Sequence, residues 1–163
     1  MRSLPIVRSL NLVFLSMSLF ASGLPKTSEQ ALVKALQDPS AEVRAAAALA
    51  IAAMPDDNAT KPLESVLIAS ADAAEQEATV QALIAINDKA TAKRLSEALA
   101  NPQFTWGNGA KTRAVEVVGK IWEKKSIKWL TDLLNSDQEP AVKAAALKAL
   151  TLIGAPPKKE EKK

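Results

Sequence analysis

Leucine pairs recur along this chain about every 33 residues, and that period constrains the fold more than any other feature. Leu32, Leu63, Leu95 and Leu130 each have a second leucine four residues on, at Leu36, Leu67, Leu99 and Leu134, and successive pairs are 31, 32 and 35 residues apart. Residues i and i+4 lie one above the other on a helix, so each pair predicts the apolar face of a short helix. An alanine-rich segment follows each pair, with equivalent starts at Val43, Glu75, Ala110 and Val142. The segments read V-R-x-A-A-x-x-A-I from Val43, E-Q-x-A-T-x-x-A-L from Glu75, A-K-x-R-A-x-x-V-V from Ala110 and V-K-x-A-A-x-x-A-L from Val142. A single helix pair cannot bury its apolar face, so such units must stack on one another.

The punctuation between segments agrees with eight helices in four antiparallel pairs. Asp38-Pro39 predicts an N-cap followed by proline at the first helical position. Asp72 with Glu75, and Ser136 with Glu139, have capping-box spacing; Asp57 and Asn58 precede the third helix, and Gly154 closes the last. Alanine makes up 31 of the 163 residues and Phe, Trp and Tyr only 4%. Ala46, Ala47, Ala50, Ala145, Ala146 and Ala149 are therefore expected at core positions where helices approach closely. The expectation is an all-α solenoid, with repeats at about 28–54, 57–86, 88–122 and 124–154 inside a domain spanning 24–155.

DPSAEVRAAAALAIAAM (38–54), DDNATKPLESVL (56–67) and DQEPAVKAAALKALTLIG (137–154) resemble HEAT repeats, most of all the short variety named for phycobilisome lyases. The resemblance covers 28–154 and is most specific in the first and fourth repeats. It implies a right-handed superhelix whose surface binds a partner protein or peptide. It also implies that an Asp in the inter-helix turn pairs with the basic residue after the Val. Asp38 with Arg44 and Asp137 with Lys143 match that pattern, while Gln76 and Lys111 lack an Asp at the same offset. Di-iron hydroxylases of this architecture use His-Glu ligand pairs, and this chain has no His. Bilin lyases act in photosynthetic cells, a setting that the N-terminus argues against.

That N-terminus carries Arg2 and Arg8, then the apolar run Leu10 to Phe20, then Ala21, Ser22 and Gly23. This is the layout of a secretory signal peptide over 1–23, cut between Gly23 and Leu24. The run is too short for a bilayer, which needs about 20 residues. An exported protein of the periplasm or the extracellular space is expected, with no membrane anchor once the signal is cleaved. Losing Arg2 and Arg8 lowers the 21 basic residues to 19 against 18 acidic ones, so charge gives no support for a nucleic-acid partner. The end, PPKKEEKK at 156–163, reads as a disordered charged tail.

With no His and no Cys, zinc-finger, haem, thiol-nucleophile and Ser-His-Asp chemistry are excluded. No carboxylate pair has a spacing that marks acid-base work, and G-x-x-x-x-G-K is absent. No catalytic residue, metal or cofactor is expected. The third repeat is irregular: its inter-helix loop, Asn101 to Gly109, is lengthened and carries Phe104 and Trp106. Lys111, Arg113, Lys120, Lys124, Lys125 and Lys128 follow it, and all three Trp fall between 106 and 129. Aromatic anchors among cations make this region the candidate binding site, for a protein or peptide or alternatively for an anionic polysaccharide or cell-wall fragment. Folding back of Phe104 and Trp106 as a lid over helix ends is the competing reading. An apolar stripe on the second helices, through Ala45, Ala48, Ala52, Val80, Ile84, Val115 and Leu147, is a further candidate groove, and homo-oligomerisation is left open.

Overall fold

The computed structural model describes residues 26–154, so the signal-peptide segment, its cleavage site and the charged tail lie outside the described residues. Eight helices follow in order: α1 (Lys26–Ala35), α2 (Ala41–Ala53), α3 (Thr60–Ala69), α4 (Ala73–Ile86), α5 (Lys89–Ala100), α6 (Ala110–Trp122), α7 (Ile127–Leu134) and α8 (Pro140–Gly154). Short 3-10 turns, Asp57–Ala59 and Glu123–Ser126, lead into α3 and α7. No strand occurs among the described residues, and the fold is the expected all-α stack of helix pairs.

The starts of these helices follow from side chains that satisfy free amides. Asp72 caps α4 by accepting from the Glu75 amide at 2.8 Å. Asp88 caps α5, accepting from the Ala90 and Thr91 amides at 2.9 and 3.0 Å. Two expectations are corrected here. The N-cap of α2 is Ser40, and the Asp38 carboxylate instead accepts from the Ser40 amide at 2.8 Å, because proline at 39 sits before the helix rather than in its first turn. Ser136 donates to the Leu133 carbonyl at 2.6 Å and so belongs to the end of α7, not to a capping box on α8. At the other end of α4, Asn87 adopts the left-handed conformation (φ 56°) that stops a helix.

Each pair packs internally, and the second helices also pack on their counterparts, α2 on α4, α4 on α6 and α6 on α8. Among the first helices only α3 and α5 make more than glancing contact. The second helices thus form a closed layer while the first helices fan apart. Leu36, Leu63, Leu67, Leu95, Leu99 and Leu130 are buried; Leu32 and Leu134 are half-buried, each in a repeat with a neighbour on one side only among the described residues. The same asymmetry corrects the alanine register. Ala47 and Ala48 face α4 and are buried, Ala46 points away and is exposed, and Ala50 and Ala145 are half-buried beside the fully packed Ala146 and Ala149.

Polar side chains stitch the repeats together one period apart. At the equivalent position early in each second helix, Arg44 reaches Glu75, Gln76 donates to the Asn108 carbonyl at 2.7 Å, and Lys111 donates to Glu139 at 2.7 Å. First-helix ends are closed from the next repeat as well. The Gly107 amide donates to the Ile68 carbonyl at 2.7 Å, and the Gln138 side chain donates to the Leu99 carbonyl at 3.1 Å, each across 39 residues. Among the described residues no buried side-chain nitrogen or oxygen is left without a partner.

Candidate functional site

The lengthened loop of the third repeat lies over the end of α3. Phe104 and Trp106 meet at a tilt of 54° with ring centroids 5.2 Å apart, both are half-buried, and Trp106 packs against the core. Gly107 allows the close approach, because a Cβ there would sit 2.3 Å from the Ser70 carbonyl oxygen. Gly109 supplies φ 78°, a left-handed turn into α6. The extra residues therefore reach across and cap a neighbouring helix. This is the lid arrangement.

The cations named with the loop are scattered, and three of them are paired. Lys111 meets Glu139 at 2.7 Å, Arg113 meets Glu77 at 2.8 Å and Glu116 at 3.3 Å, and Lys128 meets Asp132 at 2.6 Å. Lys124 and Lys125 are exposed in the 3-10 turn. Trp122 and Trp129 meet edge to face at 6.2 Å and fill space between α6 and α7. The stripe expected on the second helices is largely interior: Ala48, Val80 and Val115 are buried, Ala45, Ala52 and Ile84 pack on the core, and only Leu147 is exposed. Curvature of the closed layer consumes that surface.

The turn pairs also resolve differently from the family pattern. Arg44 contacts Asp38 through its backbone carbonyl at 2.7 Å, and its charge goes to Glu75. Hydrogen bonding to Glu75 holds the Arg44 pKa above its ordinary value despite partial burial. Among the described residues Asp137 and Lys143 form no ion pair, and no repeat follows α8 for Lys143 to reach. A pairing that the sequence reading missed joins Arg94 to Asp88 at 3.3 Å and to Glu64 of the preceding repeat at 2.9 Å. Its six-residue offset matches Asp38 to Arg44, but it lies in a first helix, where it was not sought. Burial pushes the Asp88 pKa up, and bonds from the Ala90 and Thr91 amides, the Thr91 hydroxyl and Arg94 outweigh it, leaving it below the usual carboxylate range.

A groove of about 510 Å³ with an apolar floor lies between α6 and α8. Gly119, Ala145, Ala149, Leu152 and Ile153 form its floor and one end; Arg113, Glu116, Lys120, Glu123, Lys124 and Lys148 stand around it. A Cβ on Gly119 would lie 3.1 Å from the Ala149 Cβ, so this glycine brings the two helices together at the bottom. Of the expected site residues, Arg113, Lys120 and Lys124 belong here and the rest do not. Lys148 lies on another helix and is not among the expected residues, whereas Arg113, Glu116, Lys120 and Lys124 have the spacing of one helical face. Lys148 follows Glu116 by one 32-residue repeat interval, the same interval that separates Ala110 from Val142.

The family model for HEAT repeats matches residues 26–106. The chain belongs to the HEAT-repeat family. The match runs from α1 to the Trp106 loop, and the helix pairs continue beyond it through α6, α7 and α8. No curated protein matches the chain. HEAT repeats commonly mediate protein–protein interaction, and the family is generally a non-enzymatic scaffold. Among the described residues of this HEAT array, no helix is long and apolar enough to cross a membrane.

Proposed function

We propose that this HEAT array is an exported scaffold that binds a partner protein or peptide at the groove between α6 and α8, without catalysis of its own. The observation carrying the reading is the groove itself: an apolar floor some 510 Å³ in extent, open to solvent on a rigid stack whose buried polar atoms are otherwise satisfied. Export rests on the Arg2 to Gly23 pattern, with the mature chain starting at Leu24.

The test places a photo-crosslinking amino acid at Leu152 in the groove and, separately, at Lys61 on α3 in the full chain in its own cells. A specific protein adduct from Leu152 and none from Lys61 is the expected result. Adducts of equal yield from both positions, or none from Leu152, would remove the groove reading. N-terminal sequencing of the protein from the exported fraction checks Leu24, and Met1 retained on a cytosolic protein would overturn export.

A further inference from the structure

We infer that the occupant of the α6–α8 groove is an acidic amphipathic helix, an assignment that rests on the scaffold reading above and names its partner class. Three observations lead there. The first concerns the backbone. Both walls are helices whose amides and carbonyls bond internally, so the groove offers no edge to an extended peptide. That lining favours an occupant whose backbone is satisfied internally, a helix laid into the groove.

The second concerns shape. On one side α6 lines the groove from Thr112 to Lys120, roughly 12 Å at helical rise, enough for about two turns of a bound helix. Small side chains at the floor leave room for leucine-sized ones from outside. Leu152, half exposed to water at 50%, marks an apolar end of the groove without a cover among the described residues.

The third concerns charge. Several cations elsewhere on the array have carboxylate partners: Arg44 has Glu75, Arg94 has Glu64, Lys111 has Glu139 and Lys128 has Asp132, while lone lysines such as Lys61 and Lys125 stand outside the α6–α8 groove. Around the groove, Arg113 takes Glu77 at 2.8 Å and Glu116 at 3.3 Å, and Lys120, Lys124 and Lys148, which outnumber the remaining rim carboxylate Glu123, have no ion-pair partner among the described residues. Their stems lie beside apolar floor and their ammonium groups stand at its rim, the arrangement that receives carboxylates flanking an apolar stripe.

The experiment uses the full chain from Leu24 and a fluorescent synthetic helix of about 18 residues with Leu at i, i+3, i+4 and i+7 and Glu on the flanks. A peptide of the same composition in scrambled order, the same Leu pattern with Lys for Glu, and dextran sulfate are the comparisons. The acidic amphipathic peptide is expected to bind best, and its helicity to rise on binding. Combined Lys120→Glu, Lys124→Glu and Lys148→Glu should weaken it about tenfold or more, and Leu152→Gln should weaken it several-fold, with melting temperatures unchanged because all four side chains are exposed. Equal binding of the scrambled peptide or of dextran sulfate would reveal a surface that reads charge alone and would overturn the assignment. Equal binding of the Lys peptide, or no effect of either set of substitutions, would overturn it as well. A Leu152 adduct in cells together with failure of the acidic peptide would sink the helix assignment while leaving the scaffold standing.

Discussion

Arg44 grips Glu75 of the following repeat through two nitrogens, Nε and Nη2, the latter 3.0 Å from Oε2, while the Ser70 hydroxyl donates to the same carboxylate at 2.6 Å. Glu75 is 1% exposed, so its charge is tolerated only because these donors surround it. Three of the features that define a repeat junction meet in this one contact: a turn, a second helix and the helix one period on.

Removing Arg44 should therefore cost far more than removing an exposed pair. Arg44→Ala leaves Glu75 charged and buried, and a loss of about 3 kcal/mol or more is expected. Lys128→Ala breaks only an exposed pair within α7 and should cost under about 0.5 kcal/mol. Urea unfolding of both variants checks the contrast, and the combination Arg44→Met with Glu75→Leu should recover most of the loss.

The third-repeat loop should prove to be structural. Trp106→Ala removes a half-buried ring from the lid and should lower stability by about 2 kcal/mol, leaving peptide affinity at the α6–α8 groove unchanged. Gly107→Ala forces the loop away from Ser70 and should lower the melting temperature through loss of the cap on Ile68. Calorimetry and peptide titration on the same samples decide it; an affinity loss with unchanged melting would return the loop to the binding surface.

Asp88 carries a pH dependence of definite sign. Its folded-state pKa is depressed below the unfolded value of about 3.9, so its contribution is complete at neutral pH and fades as pH falls through the folded value. Asp88→Asn keeps a capping side chain and removes the charge facing Arg94. The stability gap between the native chain and this variant should be widest near pH 7 and close progressively below about pH 4. A gap that stays constant across that range would contradict the assignment.

Glu123 sits at φ 50°, ψ −127°, a conformation that glycine adopts without strain and glutamate does not. Its side chain is exposed, so little packing opposes replacement. Glu123→Gly is expected to stabilise the chain by about 1 kcal/mol, read as a rise in melting temperature. A fall would show that the glutamate side chain holds the turn into α7.

Helix count, pairing and the leucine core were legible because they are local and periodic. A leucine at i and i+4 selects a helix face whatever surrounds it, and Asp72 caps α4 through an amide three residues away. The ends of the described array were less legible, since Ala46 and Lys143 face positions where no further repeat stands among the described residues. The Trp106 loop looked free because sequence shows its length and not its destination, the Ser70 carbonyl of another repeat.

The groove depends on contacts of longer range still. Arg113, Glu116, Lys120 and Lys124 already shared a helical face in sequence, yet nothing local says that Lys148 and Leu152 stand opposite them or that Gly119 lets α6 and α8 meet below. The sequence by itself determined the repeat, its helices and the apolar residues between them, through interactions that span a few residues. Tertiary structure alone decided which charges pair, which stay open to solvent and where a partner can be received. Those outcomes depend on distances between side chains about one repeat apart, and these exist only once the helices have stacked.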